Sequence, residues 1–185
     1  MLVAKQVADI LTFTRVVIGV LFIWLGLTQG TQGLPQAVLF LTLAWTSDAL
    51  DGPVARRSRK YYHTWLGDHD LEVDMFVSTG LLGYLWASGY VSSTVAVVYI
   101  IAWGLLFIYS GEIERSLGML SQAPIYGWFI WVAMRDAPHS GRWLLIYLVA
   151  IVVVTWPRFP KEVVPGFLSG MRQVYKKYIN IDKHS

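Results

Sequence analysis

The chain contains no cysteine among its 185 residues. Disulfide bonds, thiolate metal ligands and cysteine nucleophiles are therefore excluded. Charged residues are also scarce, at 15% of the chain, whereas 55% of the side chains are hydrophobic and 15% are aromatic. Ordinary soluble domains carry about 25% charged residues, so this composition is too apolar for one. We predict an integral membrane protein.

The excess of positive charge is small, at +3, and does not indicate a nucleic-acid partner. The basic residues stand between and after apolar stretches, where loops that face the cytoplasmic lipid surface usually carry them. We therefore expect membrane lipids, and not nucleic acid, to be the acidic partner. No small-residue cleavage pattern follows the first apolar segment, so we expect that segment to be retained.

Six apolar stretches recur along the chain, at residues 10–28, 34–50, 74–88, 91–109, 122–134 and 142–157. Several are shorter than the roughly 20 residues of a perpendicular transmembrane helix, so their ends must extend into polar sequence. Helices are the expected spanning elements, because backbone groups find no water partner in lipid. The sequence predicts an all-α membrane domain of six transmembrane helices over residues 1–160. Gly80, Gly83 and Gly104 would allow close helix packing or a dimer contact.

The basic residues predict the orientation in the membrane. Twelve of the fifteen fall on one side of a six-span arrangement, and only Arg135 and Arg142 fall on the other. The positive-inside rule then places both termini and the loop between helices 2 and 3 in the cytoplasm, as in a multi-pass inner-membrane protein. In residues 161–185, apolar residues recur at helical spacing beside basic ones. This pattern predicts a cytoplasmic amphipathic tail on the membrane surface.

Half of the twelve acidic residues fall in one short segment: Asp48, Asp51, Asp68, Asp70, Glu72 and Asp74. On helices, the first two are three residues apart and the pair Asp70 and Asp74 four apart, so each pair lies on one face. The two pairs would converge if helices 2 and 3 pack antiparallel. Clustered carboxylates near lipid need a cation, and oxygen ligands suit Mg²⁺ or Mn²⁺. This predicts a cytoplasmic-side site for a phosphorylated substrate, the alternative being solvated loop charges that balance the basic run at residues 56–60.

The acidic segment also follows a longer pattern. Residues 48–56 read D-A-L-D-G-P-V-A-R, and residues 67–74 read G-D-H-D-L-E-V-D. Together they resemble the signature D-x-x-D-G-x-x-A-R, spacer, G-x-x-x-D-x-x-x-D of the CDP-alcohol phosphatidyltransferases. The first half matches at every fixed position, whereas the glycine of the second half stands three residues before Asp70 instead of four. A competing pair, Asp68 and Glu72, has the same spacing as the preferred aspartates.

The resemblance implies a phospholipid biosynthesis enzyme that transfers a phosphatidyl group from CDP-diacylglycerol to a small alcohol and releases CMP. Glycerol 3-phosphate is the first acceptor expected, followed by inositol phosphate and serine. The resemblance also implies a homodimer and two divalent ions, Mg²⁺ or Mn²⁺, that hold the donor diphosphate. The implied metal ligands are Asp48, Asp51, Asp70 and Asp74, of which Asp74 is also the general base. The implied nucleotide contacts are Gly52, Ala55, Arg56 and Gly67.

Two arginines outside the signature are candidates for contact with phosphate or with the acceptor. Arg15 lies in the first apolar stretch, where a charge is a functional candidate by default. Snorkelling of this side chain to the membrane interface is the alternative. Arg115 follows the fourth stretch on the side of the acids, and an ion pair with a neighbouring glutamate is its alternative.

Two other classes of membrane protein would use such acids. Intramembrane prenyltransferases also hold a diphosphate with paired aspartates and Mg²⁺, but their signature lacks the Gly and Ala-Arg that follow Asp51 here. A divalent-cation transporter would need carboxylates near the bilayer midplane, whereas these stand at predicted helix ends. Both classes remain as alternatives to the transferase.

Overall fold

The computed structural model describes the backbone of residues 4–56, 70–111, 114–156, 161 and 164–179. Side chains are described over the same ranges except at residues 4–9, 51–56, 70, 173 and 175–179. These ranges are helical and contain no β-strand. Their α-helices are α1 (Ala4–Gln29), α2 (Leu34–Arg56), α3 (Asp70–Ala87), α4 (Ser93–Ser110), α5 (Arg115–Asp136), α6 (Pro138–Val154) and α7 (Val164–Ile179).

Each of the six predicted apolar stretches lies largely within its own helix, from α1 to α6. A 3-10 helix, Gly30–Gly33, joins α1 to α2. Gly111 ends α4 in the left-handed conformation, which glycine adopts without the steric penalty of a Cβ atom. The predicted all-α fold is confirmed for the residues that the structure describes.

Two segments of the described chain are long and apolar enough to cross a membrane. The first, Ile10–Leu50, is 41 residues long and includes most of α1 and α2 on either side of the 3-10 helix. The second, Ser93–Ser110, is α4, and α6 is apolar but shorter. The predicted count of six spans and their cytoplasmic orientation stay predictions.

The apolar core forms where α1 packs against both α2 and α3. Their fully buried side chains include Phe22, Leu25, Leu41, Leu81 and Leu85. Helix α5 extends the core with Phe129, whose ring meets that of Tyr84 edge to face. In contrast, only 11% of α4 is buried, and its outer surface is formed by large apolar side chains. Such a surface suits contact with lipid.

Glycines bring α1 and α3 into backbone contact. Gly19 and Gly80 face each other, and a Cβ atom built at position 80 would lie 2.3 Å from the carbonyl oxygen of Gly19. Gly26 lies against Tyr84 further along the same contact. Small residues allow helix backbones to touch in this way, as is common in membranes. The contacts occur in the same order along both helices, so α1 and α3 run in the same direction.

The three glycines singled out from the sequence have different surroundings. Gly80 lies against Gly19, and Gly83 lies against Ile23, so both serve the packing of α1 on α3. A Cβ atom at Gly104 would meet no atom of the described residues within 4 Å. Close packing among the described residues therefore accounts for Gly80 and Gly83.

Helix α5 joins this packing to the rest of the fold. Near its start, Gly118 lies against Leu71 in the first turn of α3. Near its end, the backbone of Ala133 lies against Gly141 of α6. The first turn of α5 is therefore at the end of the bundle where α3 begins.

Helix α7, within the predicted amphipathic tail, packs on the first turn of α5. Ser116 Oγ donates a hydrogen bond to the carbonyl oxygen of Phe167 at 3.4 Å, and Gly170 lies beside the same serine. A Cβ atom at position 170 would lie 2.0 Å from that Oγ atom. The tail therefore contacts the end of the bundle that contains the acidic residues.

Candidate active site

Arg15 is only 1% exposed although it carries a charge. It lies on α1 one turn before Gly19, where α1 meets α3. Its Nη1 donates to Asp48 Oδ1 at 2.9 Å and to Asp74 Oδ1 at 2.5 Å, and its Nη2 donates to Thr12 Oγ1 at 3.3 Å. A buried charge is tolerated when it is paired and hydrogen-bonded in this way. The snorkelling alternative for Arg15 is therefore not what the structure adopts.

The arginine joins one acid from each half of the signature. Asp48 lies on α2 and Asp74 on α3. Both carboxylates accept a hydrogen bond from the same nitrogen, Arg15 Nη1. The distance between the two Oδ1 atoms therefore cannot exceed the sum of the two Nη1–Oδ1 distances. The side chains are 46% and 30% exposed, so both carboxylates also reach the surface. A hydrated ion or a polar substrate can approach them from outside.

The other signature residues are described only in part. The helical backbone alone is described for Asp51, Gly52, Ala55 and Arg56 in α2 and for Asp70 at the start of α3. Asp51 lies one turn beyond Asp48, and Asp70 lies one turn before Asp74. Gly67 and Asp68 lie outside the described residues, whereas Glu72 has an exposed side chain on α3. The assignment of these residues to the site stays a prediction.

Arg115 is the first residue of α5, and its side chain is exposed. Gly118, three residues later, lies against Leu71, which directly follows Asp70. Arg115 therefore stands at the same end of the bundle as the acids. Its contact with an acceptor stays a prediction.

The described carboxylates fit a divalent cation. Oδ1 atoms from two different helices already share one cationic group, and carboxylate oxygens are the ligands that Mg²⁺ and Mn²⁺ prefer. No group of three acids or histidines forms a metal site among the side chains that the structure describes. Asp48 and Asp74 are the described residues that would hold an ion here.

An aromatic cluster beside Asp48 is not indicated by the signature. The ring of Trp45 stacks on Tyr147, with 6.5 Å between centroids and 10° between planes. Trp45 also meets Tyr126 edge to face at 5.3 Å. These contacts fix the middle of α2 against α5 and α6. The sequence shows the aromatic residues but gives no means of pairing side chains that lie so far apart along the chain.

We expect Tyr147→Phe to lower the free energy of unfolding by about 1 kcal/mol, because it removes one hydrogen bond and keeps the ring. Thr46 Oγ1 donates to the carbonyl oxygen of Thr42 at 2.6 Å, so its contact with Tyr147 at 2.8 Å requires the tyrosine hydroxyl to donate. Thermal unfolding in detergent measures the loss. Tyr147→Leu, which also removes the stacking on Trp45, should cost more. Equal stability of Tyr147→Phe and wild type would show that this hydrogen bond contributes nothing.

The described residues combine apolar segments long enough to cross a membrane with a polar site in which Arg15 joins Asp48 and Asp74. A family model described as CDP-alcohol phosphatidyltransferase matches residues 5–156, which include nearly all of α1 and all of α2 to α6. The chain belongs to the CDP-alcohol phosphatidyltransferase family, and the resemblance found in the signature is confirmed. No curated protein and no solved structure matches the chain.

Membership of this family defines the class of reaction. The protein is a membrane-bound transferase of substituted phosphate groups, which takes its donor from the CDP-alcohols and its acceptor from the alcohols. The family is generally dependent on divalent metal. The prenyltransferase and cation-transporter alternatives are not favoured.

Proposed function

We propose that this protein transfers a phosphatidyl group from CDP-diacylglycerol to a small alcohol, with CMP as the second product. The contact of Arg15 with Asp48 and Asp74 carries the proposal, because it unites the two halves of the signature in one polar site. Glycerol 3-phosphate is the first acceptor to test, followed by inositol phosphate and serine. The lipid tails would remain in the bilayer while the headgroup reaches the acids.

In this proposal, two divalent ions, Mg²⁺ or Mn²⁺, are held by Asp48, Asp51, Asp70 and Asp74. When bound, such ions neutralise the diphosphate and stabilise charge on the attacking and leaving oxygens. The partial exposure of Asp48 and Asp74 supports this assignment, because an ion has to reach them with part of its water shell. Asp51 and Asp70 complete the set by standing one helical turn from the described pair.

Asp74 acts as the general base. Its carboxylate accepts the proton of the acceptor hydroxyl, whose oxygen forms a bond to the phosphorus on the lipid side. The bond between that phosphorus and the CMP oxygen breaks as the new bond forms, and CMP leaves. Phosphoryl transfer depends mainly on positioning and charge neutralisation. Before an ion binds, the hydrogen bond from Arg15 fixes the orientation of this carboxylate. The contact of Asp74 with Arg15 supports the pair Asp70 and Asp74 over Asp68 and Glu72.

The nucleotide and the acceptor would meet different parts of the site. The small residues Gly52, Ala55 and Gly67 let the nucleotide approach the backbone, and Arg56 can form paired hydrogen bonds with a phosphate. Arg115, exposed at the same end of the bundle, can pair with an anionic acceptor. Arg15, which is more deeply buried than Asp48 and Asp74, can also contact a phosphate oxygen of the substrate.

We further propose six transmembrane helices over residues 1–160, with both termini and the acids on the cytoplasmic side of the inner membrane. The helical state of all six apolar stretches and the distribution of basic residues support this topology. Residues 161–185 then lie at the inner surface, where α7 contacts α5. The exposed apolar surface of α4 is suited to lipid or to the second copy in a homodimer.

The experiment that tests this function measures CMP release from CDP-diacylglycerol by the purified protein with Mg²⁺ and a panel of alcohols. We expect release with one class of acceptor, its loss in EDTA, and a matching new lipid in the organic phase. A reaction without acceptor separates transfer from hydrolysis of the donor. An absence of release with every acceptor would remove the proposal.

A further inference from the structure

The contact between Arg15 and the two acids bears on how the site binds metal. We propose that Arg15 is an internal cation that competes with the divalent ion for the carboxylates of Asp48 and Asp74. The inference rests on the proposed metal site and adds a role for a residue outside the signature. In this role, Arg15 is a positioning residue that holds the acids together until the ion takes its place.

The competition follows from the positions of the atoms. A bound Mg²⁺ needs its oxygen ligands at about 2.0–2.1 Å, and Arg15 Nη1 already lies 2.5 Å and 2.9 Å from the Oδ1 atoms of Asp74 and Asp48. An ion bound through the same oxygens would either displace this nitrogen or share its ligands with a positive charge. An ion bound through the other carboxylate oxygens would lie only a few ångströms from a fixed positive charge. In both cases, the guanidinium lowers the affinity for the ion.

Because Arg15 is buried, a divalent ion can replace it at the two carboxylates only if another anion pairs with the guanidinium. The side chain is 1% exposed, and a guanidinium does not lose its proton in proteins, so Arg15 can neither meet water freely nor become neutral. A buried charge that loses its partner is costly, so a displaced guanidinium needs a new anionic oxygen. A substrate phosphate at the same site supplies one. The ion and a phosphate-bearing substrate should therefore each increase the affinity for the other.

The competing explanation is that Arg15 only assembles the site. Under that explanation, loss of the arginine separates Asp48 from Asp74 and weakens metal binding. Under our proposal, loss of its charge strengthens metal binding. The two explanations therefore predict changes of opposite sign in one measured quantity.

The test compares Mn²⁺ affinity, measured by electron paramagnetic resonance on the purified protein in detergent without substrate, for wild type and Arg15→Gln. We expect Arg15→Gln to bind Mn²⁺ about tenfold more tightly, because a positive charge has been removed beside the ligands. Arg142→Gln is the matched control. It removes an arginine that is exposed and donates to the Pro138 carbonyl oxygen, so its affinity should equal that of wild type.

Arg15→Lys keeps the charge and extends the test should the glutamine variant fail to fold. Its Mn²⁺ affinity should stay within about twofold of wild type, since the charge beside the ligands is preserved. Unchanged or weaker Mn²⁺ binding by Arg15→Gln, or markedly weaker binding by Arg15→Lys, would overturn the inference. The proposed metal site would still stand in that case, provided that the wild-type protein binds Mn²⁺. If wild type itself binds no Mn²⁺, the proposed metal site fails and the inference fails with it.

Discussion

Asp74→Asn is expected to lower the rate of CMP release by about 10²–10⁴-fold, because an amide cannot accept the proton of the acceptor hydroxyl. The asparagine has nearly the same shape and keeps a carbonyl oxygen for Arg15 and for an ion. Nucleotide binding should therefore persist. CMP release and calorimetric titration with CMP in the presence of Mg²⁺ measure the two properties separately.

Glu72→Gln is the matched control for this variant. It changes a carboxylate to an amide two residues away on the same helix, at a side chain that is exposed. Its activity should equal that of wild type, whereas Asp51→Asn should weaken nucleotide binding that depends on metal. Full activity in Asp74→Asn would remove the base assignment. Loss of activity in Glu72→Gln would instead favour the pair formed with Asp68.

The helices and the family could be predicted from the sequence because both depend on local patterns. An apolar stretch of transmembrane length has few stable forms other than a helix, and the segment from Asp48 to Arg56 matches every fixed position of the signature. Helix limits were harder to predict, since polar residues such as Asp70 extend the helices beyond their apolar parts.

The side-chain contacts that form the site could not be predicted from local sequence patterns. Arg15 was recognisable as a charge in an apolar stretch, but its partners lie 33 and 59 residues away. Several acids and a membrane interface were all possible partners for it. The aromatic cluster around Trp45 likewise depends on helix packing, which fixes which faces of α2, α5 and α6 meet.

The glycines at the contact of α1 and α3 link this packing to the site. Arg15 lies one turn before Gly19, and Asp74 lies on α3 before Gly80, so the backbone contact sets the distance that the arginine has to bridge. A wider separation of the helices would lengthen the bond to Asp74. Residues that touch neither ion nor substrate can therefore control the geometry of the acids.

Gly80→Ala should consequently destabilise the protein by about 3 kcal/mol, near the upper end of the usual cost of overpacking. The new Cβ atom would lie 2.3 Å from the carbonyl oxygen of Gly19, and a backbone atom cannot rotate out of the way as a side chain can. The helices must then separate, so CMP release should fall as well. Thermal unfolding in detergent, together with the CMP assay, measures both effects.

Gly104→Ala provides the matched control, because it makes the same change within α4 where a Cβ atom meets none of the described atoms within 4 Å. Its stability should be unchanged, or greater by up to about 1 kcal/mol, since alanine has the higher helix propensity. Equal stability of the two variants would contradict the close approach of α1 and α3. A loss confined to Gly80→Ala, accompanied by reduced activity, would show that the glycine contact holds Arg15 within reach of Asp74.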